Sequence, residues 1–253
     1  MKVAVSGKGG TGKTSIAGTL ARSLARRGHR VLAIDCDSNP NLATSLGLDA
    51  AVADALEPLP TNAFAGDATV DEILTAYAAT GPDGVRMVVG ARVLEAGAGC
   101  TCGSHASVRG MLGEMLSSDA DITVVDMEAG LEHLSRAGGT LRYVDHLMVV
   151  VEPYVKAVET ARRTLFLAKE LGIKRITILG SKVRDESERA VLERFCADEG
   201  VELIGVIPFD DAARLADRDG APVIDRSPQS PMVRAIDALA ASLEASWRQP
   251  VPA

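Results

Sequence analysis

Residues that could bind a phosphate group lie in a glycine-rich loop near the first apolar run of the chain. The loop reads G-K-G-G-T-G-K-T and follows the apolar residues 3–5. Glycines let the backbone curl so that successive N–H groups face an anion, and the positive end of a following helix adds its field. Lys13 can reach the β- and γ-phosphates of a nucleotide, and the Thr14 hydroxyl can bind Mg²⁺. The order of strand, loop and helix therefore predicts a P-loop. Its predicted nucleotide-binding residues are Gly7, Lys8, Gly9, Gly10, Thr11, Gly12, Lys13, Thr14 and Ser15.

Acidic residues follow two further apolar runs. Asp35 and Asp37 end the strand predicted at 30–34, and Asp126 ends the strand predicted at 122–125. Open α/β sheets bind ligands at the carboxyl ends of their strands, so these carboxylates should lie near the phosphate loop. There they could contact Mg²⁺ with its water shell and orient an attacking water. The alternative is that each aspartate only caps a turn.

Two cysteines separated by one residue lie in a glycine-rich segment. Cys100 and Cys102 could present both sulfurs to one side of an extended backbone and bind a soft transition metal as thiolates. Two sulfurs leave a tetrahedral or square-planar ion half coordinated. His105, water or a second copy of the motif would have to complete the site, and a two-fold axis would supply four thiolates. Two reduced cysteines in a loop, or a redox pair, are the alternatives.

The composition is that of a soluble protein with a substantial core. Of 253 residues, 47% are apolar and 24% are charged, the net charge is −7, and no lysine or arginine run exceeds two. This charge argues against a nucleic-acid groove or an anionic membrane surface, and no apolar run approaches the ~18 residues of a membrane span. The first residues lead directly into the predicted strand and leave no room for a signal peptide. We therefore expect a cytoplasmic protein that contacts neither nucleic acid nor membrane.

Apolar runs and helical periodicity alternate along the chain. This pattern predicts one α/β domain over residues 1–253, with a mainly parallel sheet of about seven strands and helices on both faces. The segment 48–84, rich in proline, glycine and alanine, is the least informative part. The predicted strands are 3–5, 30–34, 85–89, 122–125, 146–151, 175–179 and 201–207. The clearest predicted helices are 15–27, 70–79, 107–116, 155–171 and 232–247.

The loop resembles that of the ParA/MinD/nitrogenase-iron-protein group of ATPases, which reads K-G-G-x-G-K-[ST]. The second lysine, Lys8, carries this resemblance. In that group the early lysine contacts phosphates bound by the other subunit, so the resemblance implies a homodimer around ATP or ADP and Mg²⁺. Asp37 with Asn41 and Leu42 is similar to the group's switch segment. The resemblance implies that Asp37 positions the attacking water, and Asp126 is at the position of the group's magnesium-binding carboxylate.

A narrower resemblance depends on the segment from Asp126 to Arg136, which reads D-M-E-A-G-L-E-H-L-S-R. Together with the upstream C-x-C pair and Val151-Glu152-Pro153, this segment is similar to the CooC family. Members of that family are accessory ATPases for nickel insertion into carbon monoxide dehydrogenase. The resemblance implies that Cys100 and Cys102 of two subunits bind one Ni²⁺ or Zn²⁺ ion at a dimer interface. It also implies apo carbon monoxide dehydrogenase as the client.

The base of the nucleotide should lie near two later segments. Lys182 follows Ser181, where the group usually has asparagine; an asparagine amide can donate to and accept from adenine, and serine can do less. Lys182 could still pack its stem on the base. Pro208 and Phe209 resemble the turn that lines the group's adenine pocket.

These features together predict a slow, Mg²⁺-dependent ATPase in which Lys8, Lys13, Asp37 and Asp126 act in hydrolysis. ATP would close a homodimer, and hydrolysis would loosen it and release the metal to the client. Two alternatives remain. Two cysteines per subunit could instead hold a shared iron–sulfur cluster, as in nitrogenase iron protein. A MinD- or ParA-like positioning ATPase would need a basic tail or a basic face, which the net charge of −7 does not favour.

Overall fold

A mainly parallel sheet forms the centre of the protein. The computed structural model describes residues 1–37, 39–60, 63, 67–90, 113, 120–128 and 141–247. Within these ranges eight strands form one sheet in the order β3-β4-β2-β5-β1-β6-β7-β8. The strands are β1 (Lys2–Gly7), β2 (Val31–Asp35), β3 (Ala79–Thr80), β4 (Arg86–Val89), β5 (Ile122–Asp126), β6 (His146–Val151), β7 (Arg175–Val183) and β8 (Glu202–Pro208).

The predicted fold class is confirmed, with one strand more than expected. All seven predicted strands are present and pair in parallel. The additional strand, β3, has two residues and pairs antiparallel with Arg86 and Met87 of β4. Two residues are too few for a readable alternation of apolar and polar side chains, which is why the sequence did not predict β3. The same outer edge of β4 is covered further along, where Leu59 N donates to Val89 O at 2.8 Å.

The central strands are buried on both faces. Every residue of β2, β5 and β6 is buried. Strands covered by helices on both sides read as continuous apolar runs rather than as alternating patterns, and these runs are what made the strands predictable. Polar residues in them are confined to particular positions, such as Asp35 and Asp126 at the carboxyl ends.

Helices cover both faces of the sheet and bury two separate apolar cores. The described helices are α1 (Lys13–Arg26), α2 (Leu42–Leu46), α3 (Ala50–Ala55), α4 (Val70–Tyr77), α5 (Val155–Glu170), α6 (Glu186–Glu199), α7 (Asp211–Arg218), α8 (Val223–Arg226) and α9 (Pro231–Trp247). One core includes α4, α5 and α6, and the other includes α1, α2, α8 and α9. Helix α4 begins with a capping box between Thr69 and Glu72 and ends two residues earlier than predicted, because Ala79 belongs to β3.

A buried arginine fixes the least predictable segment against α1. Arg22 is 3% exposed and donates through Nε to Asp83 at 2.7 Å, and through Nη2 to Asp225 at 2.8 Å. Its Nη1 also donates to the Leu46 carbonyl at 3.3 Å. A buried guanidinium needs such partners because desolvation otherwise makes it costly. Arg22 therefore connects α2, α8 and the turn before β4.

Several predicted features lie outside the described residues. These are the helix at 107–116, apart from Gly113, the segment with Cys100, Cys102 and His105, and most of the D-M-E-A-G-L-E-H-L-S-R motif beyond Glu128. Cys36 and Cys196 are described, and both are buried free thiols. No helix in the described ranges has the length and apolar character that crossing a membrane requires.

A buried histidine at the start of β6 should make stability depend on pH. His146 is 1% exposed, and its Nε2 lies 2.8 Å from Thr177 Oγ1. Within the described part of the chain its Nδ1 has no hydrogen-bond partner. Burial, with a smaller contribution from the charge of Arg175, lowers the pKa of His146 to about 3. The unfolded chain therefore binds a proton at this position before the folded protein does.

We predict that His146→Gln flattens the acid limb of the stability curve. Because the folded pKa is lowered, the contribution of His146 is complete above pH 6.5 and is lost as the pH falls toward 3. Between pH 6.5 and 4.5 the wild type should lose up to about 3 kcal/mol more unfolding free energy than the variant, at ~1.4 kcal/mol per pH unit. Urea titrations at half-unit intervals measure this. The difference between the two proteins should be constant above pH 7, and parallel curves below pH 6 would contradict the assignment.

Candidate nucleotide site

The glycine-rich loop has the backbone conformation that its sequence predicts. Gly7 ends β1 with φ +149°, and a Cβ there would lie 2.4 Å from the Val150 carbonyl oxygen of β6. Gly12 precedes α1 with φ +85°, in the left-handed region that favours glycine. Other residues at these positions would push the loop away from the sheet or strain it. The two glycines therefore fix where the loop leaves β1 and where it enters α1.

The carbonyl of Lys8 holds the loop closed. It accepts hydrogen bonds from Thr11 Oγ1 at 2.9 Å and from Lys13 Nζ at 3.2 Å. Lys13 is only 6% exposed, and burial lowers its pKa, while the charges of Asp126 and Asp37 act in the opposite direction. Within the described ranges the Lys13 ammonium donates to one acceptor, the Lys8 carbonyl, and the carboxylates of Asp37 and Asp126 lie nearby. A bound triphosphate would supply the further oxygen acceptors that a lysine ammonium with three donors can use.

Two aspartates lie side by side beneath the loop. Parallel pairing of β2 with β5 places Asp35 directly opposite Asp126 at the carboxyl ends of the strands. Asp35 is buried but accepts from the backbone N–H groups of Asp37 at 3.0 Å and Leu42 at 2.9 Å. Burial raises its pKa to about 6 in spite of these bonds. Asp35 therefore organises the turn that leads from β2 to α2.

Asp126 is the least satisfied polar group of the site. It is 1% exposed, and neither carboxylate oxygen has a hydrogen bond of good geometry to a described residue. Burial and the neighbouring charge of Asp35 raise its pKa to about 8, although the nearby Thr14 hydroxyl and the charge of Lys13 act to lower it. A buried carboxylate without partners is costly unless a cation or its bound waters approach it. Oxygen ligands beside a phosphate site suit Mg²⁺, which keeps part of its water shell.

Asp37 lies at the same edge but is less buried. It lines the cavity described below, and its Oδ1 accepts from Asn39 N at 2.9 Å, which closes a turn in the predicted switch segment. Cys36, between the two aspartates, is fully buried, and burial raises the pKa of its thiol well above the usual value. This thiol is therefore a core group and not a reactive one.

One cavity connects the loop to the end of β8. Its volume is about 500 Å³, in the range of small-molecule sites. Predicted residues line both ends: Gly9, Gly10, Gly12, Lys13, Thr14, Ser15 and Asp37 at the phosphate end, and Lys182, Pro208 and Phe209 at the other. Gly7, Lys8 and Thr11 do not line it. Gly7 packs against β6, the Thr11 side chain turns to the Lys8 carbonyl, and the Lys8 side chain is exposed.

The far end of the cavity includes residues that the sequence did not single out. Helices α7 and α9 contribute Ala213, Arg214, Asp217 and Met232. Asp210 fixes both helices: its carboxylate accepts from Ala212 N and from Met232 N, each at 2.9 Å. Phe209 packs under the Arg184 guanidinium at 4.4 Å from the ring centroid. The signal for Asp210 was its place directly after the turn at Pro208 and Phe209, where an aspartate can cap a helix.

Ser181 and Lys182 contact the phosphate loop itself. The Ser181 hydroxyl donates to the Thr11 carbonyl at 2.8 Å. Lys182 Nζ donates to the Gly10 carbonyl and forms a 2.9 Å ion pair with Glu152. Both residues also border the cavity. The Ser181 hydroxyl, at the position where asparagine was expected, thus donates its hydrogen bond to the phosphate loop.

The predicted metal-binding cysteines are not part of the described site, because Cys100 and Cys102 lie outside the described residues. Within the described ranges, no group of three or more histidine, cysteine, aspartate or glutamate side chains is arranged to hold a metal ion. A magnesium ion at Thr14, Asp37 and Asp126 would accordingly depend on phosphate oxygens and water for most of its ligands.

A parallel sheet with a P-loop after β1, buried aspartates at the ends of β2 and β5, and a cavity reaching β8 defines a P-loop nucleotide-binding protein. Comparison with known proteins narrows the class. Residues 2–223 match the CbiA family, described as the CobQ/CobB/MinD/ParA nucleotide binding domain. The chain belongs to this family.

Individual relatives agree with the family and confirm the similarity to CooC. The chain is 38% identical over 245 residues to the carbon monoxide dehydrogenase accessory protein CooC of Rhodospirillum rubrum, covering 90% of this chain and 91% of the relative. It is 32% identical over 236 residues to an uncharacterised ATP-binding protein of Methanocaldococcus jannaschii, covering 88% and 91%. The septum site-determining protein MinD of Pyrococcus horikoshii, solved with Mg-ADP, has the same fold, with a TM-score of 0.73 at 22% identity and 99% coverage of each chain.

We predict that Asp126→Asn stabilises the nucleotide-free protein at alkaline pH. Because the folded pKa of Asp126 is raised to about 8, the folded protein retains a proton that the unfolded chain loses near pH 4. Wild-type stability therefore falls as the pH rises from 4 to 8, and an amide removes this loss. The stability advantage of the variant should grow over that range, at ~1.4 kcal/mol per pH unit, and reach about 5 kcal/mol at pH 9.

Denaturant unfolding of the nucleotide-free protein at pH 5, 7 and 9 measures the effect. Asp54→Asn, at an exposed position of α3, is the control and should leave the pH dependence unchanged. The same Asp126 variant should lose Mg²⁺-dependent nucleotide binding. A variant that is less stable than the wild type at pH 9 would mean that Asp126 is satisfied in the free protein.

Proposed function

We propose that this protein is an ATP-dependent, nucleotide-switched homodimeric metallochaperone. It binds one nickel ion, or zinc, through the cysteines of two subunits and delivers it to carbon monoxide dehydrogenase. Support comes from the P-loop cavity, from membership of the nucleotide-binding family, and from the 38% identity to CooC over nearly the whole of both chains. The chain's own C-x-C motif and the residues from Asp126 to Arg136 point to the same subfamily.

Hydrolysis is assigned to the residues around the phosphate loop. The N–H groups of the loop and the Lys13 ammonium would hold the β- and γ-phosphates, and Asp37 would orient the attacking water. Thr14, Asp37 and Asp126 would hold Mg²⁺ with its water shell, and the ion would neutralise charge on the phosphate oxygens. Asp35 would support this arrangement by fixing the turn that carries Asp37, through its bonds to Asp37 N and Leu42 N. The chemistry is positioning and charge stabilisation, which suits a slow enzyme that acts as a switch.

The main structural support for a dimer is the position of Lys8. Its carbonyl closes the loop, whereas its ammonium is exposed and has no ion-pair partner among the described residues. A lysine inside a phosphate loop that does not face its own cavity is free to reach phosphates bound by a second subunit. ATP would then be shared between subunits, and its hydrolysis would weaken the interface.

The metal is cargo in this proposal and belongs at the same interface. Cys100 and Cys102 give two thiolates per chain, and a two-fold axis gives the four that a tetrahedral or square-planar ion requires. The described residues offer no competing cluster of ligands. Opening of the dimer after hydrolysis would halve the ligand set and release the ion to the apo-enzyme.

An iron–sulfur carrier is the main alternative, since the same four cysteines could hold a cluster. Anaerobically purified protein separates the two functions by colour. We expect a colourless protein that takes up nickel, whereas brown protein with absorbance near 400 nm would favour the cluster. A MinD- or ParA-like positioning role would be favoured by ATP-dependent binding to vesicles or DNA, which the net charge of −7 does not support.

Lys8→Ala should separate nucleotide binding from dimer formation. The variant keeps Lys13 and the loop glycines, so its affinity for ATP as a monomer should change by less than about threefold, whereas ATP-dependent dimerisation should be lost. Light scattering with ATP and Mg²⁺ at several protein concentrations measures the mass. Lys174→Ala is the matched control. Lys174 is exposed and precedes β7, so it lies at the amino-terminal ends of the strands, whereas the phosphate loop lies at their carboxyl ends. A Lys8→Ala protein that still dimerises with ATP would refute the role of Lys8.

The double variant Cys100→Ser/Cys102→Ser should retain ATP binding and lose one metal ion per dimer. Serine hydroxyls remain protonated at neutral pH and are poor ligands for soft ions, so only the thiolate site is removed. Metal analysis after equilibrium dialysis against Ni²⁺ or Zn²⁺, with nucleotide affinity measured in parallel, tests this. Unchanged metal content would place the cargo site elsewhere in the chain.

A further inference from the structure

The carboxyl end of β7 touches the phosphate loop at two consecutive carbonyls. Ser181 Oγ donates to Thr11 O at 2.8 Å, and Lys182 Nζ donates to Gly10 O. Ser181 is 2% exposed, so its hydroxyl is committed to this bond and shielded from water. The two peptide groups that contain the Gly10 and Thr11 carbonyls are thereby fixed by hydrogen bonds from β7.

A bulge makes the double contact possible. On a regular strand, successive side chains point to opposite faces, so Ser181 and Lys182 could not both reach one loop. The pairing of β7 with β8 shifts register between Gly180 and Val183, and Lys182 has φ +56°. A bulge changes the direction in which the side chains near it point. A residue other than glycine rarely adopts the left-handed conformation, so its presence at Lys182 indicates that surrounding contacts hold the backbone there. The irregular backbone directs both side chains to the loop.

Peptide geometry gives this contact a consequence for anion binding. The C=O and N–H of a trans peptide point in opposite directions, and the described chain has no cis peptide. With Thr11 O held against Ser181, the N–H of Gly12 points away from Ser181. With Gly10 O held against Lys182, the N–H of Thr11 points back to close the turn on Lys8 O at 3.4 Å. Both peptide planes are set before any phosphate arrives.

Glu152 completes the arrangement from the neighbouring strand. Its carboxylate, 18% exposed, lies 2.9 Å from Lys182 Nζ, whose side chain is 42% exposed. A pair this exposed adds little stability, so its effect is to orient the ammonium. The end of β6 and the end of β7 are thus joined to the loop that follows β1.

We infer that Ser181 and Lys182 are positioning residues for the phosphate loop: they fix two of its peptide groups and thereby set affinity for the triphosphate, and they do not read the base. The inference rests on the nucleotide site of the proposed function and is independent of its metal cargo. It assigns Lys182 a role different from packing its stem on the base.

Three ligands distinguish positioning from base reading: ATP, GTP and inorganic tripolyphosphate, which has no base. Dissociation constants with Mg²⁺ are measured by calorimetry for the wild type, Ser181→Ala and Lys182→Met. We expect each variant to raise the dissociation constants of all three ligands by the same factor, about three- to tenfold, as the loss of one hydrogen bond predicts. The ratio of ATP to GTP affinity should not change, and the melting temperature without ligand should stay within about 4 °C of the wild type, as expected for the loss of one hydrogen bond in a chain of this size.

Two further variants serve as rescue and control. Ser181→Thr retains the hydroxyl and should restore affinity for all three ligands to within about twofold of the wild type. Ser187→Ala removes an exposed serine hydroxyl on α6, which donates to Asp185 at 2.6 Å, far from the phosphate loop in sequence, and should leave all three affinities unchanged. A Ser181→Thr protein of normal melting temperature that binds as weakly as Ser181→Ala would overturn the role of the hydroxyl.

The remaining outcomes separate this inference from the proposed function. If the Ser181 or Lys182 variants weaken ATP or GTP but leave tripolyphosphate unchanged, the residues read the base and the inference is wrong, while the ATPase proposal stands. If the wild type binds neither ATP nor tripolyphosphate, both fail together.

Discussion

Two buried aspartates on adjacent strands are the constraint around which the site is built. Parallel pairing of β2 with β5 brings Asp35 and Asp126 together where both strands end. Burial raises the pKa of both carboxyl groups, and the charge of Asp35 adds to the rise at Asp126. Asp35 accepts hydrogen bonds from two backbone N–H groups, whereas neither carboxylate oxygen of Asp126 has such a partner among the described residues. The loop after β1 supplies Lys13 beside it, so the phosphate site and the acidic pair depend on each other.

Much of this arrangement was predictable because its signals are local. Continuous apolar runs gave the seven parallel strands, and residue types at strand ends gave Asp35, Asp37 and Asp126. The loop glycines were predictable because their conformations follow from sequence alone: Gly12 has the positive φ that a residue with a side chain rarely adopts. Such features require no knowledge of which strands are neighbours.

Other features were not predictable because they depend on contacts between distant segments. No local pattern shows that Ser181 reaches Thr11, 170 positions away, or that Arg22 pairs with Asp225. The bulge at Lys182 is equally hidden, since lysine has no preference for positive φ. Serine in place of asparagine looked like the loss of a base contact. In the folded chain it is one side of a contact between β7 and the loop.

The two-residue strand β3 has a consequence for how copies of this protein can associate. An uncovered outer edge of β4 would offer free backbone groups to any strand from another molecule, which is the usual route to fibrous aggregates. Ala79 and Thr80 pair with that edge on one stretch, and Leu59 N bonds Val89 O on the next. Edge-to-edge pairing of sheets from successive molecules is thereby blocked at the outer edge of β4. The reversible dimer proposed above requires that the other surfaces of the protein resist permanent attachment.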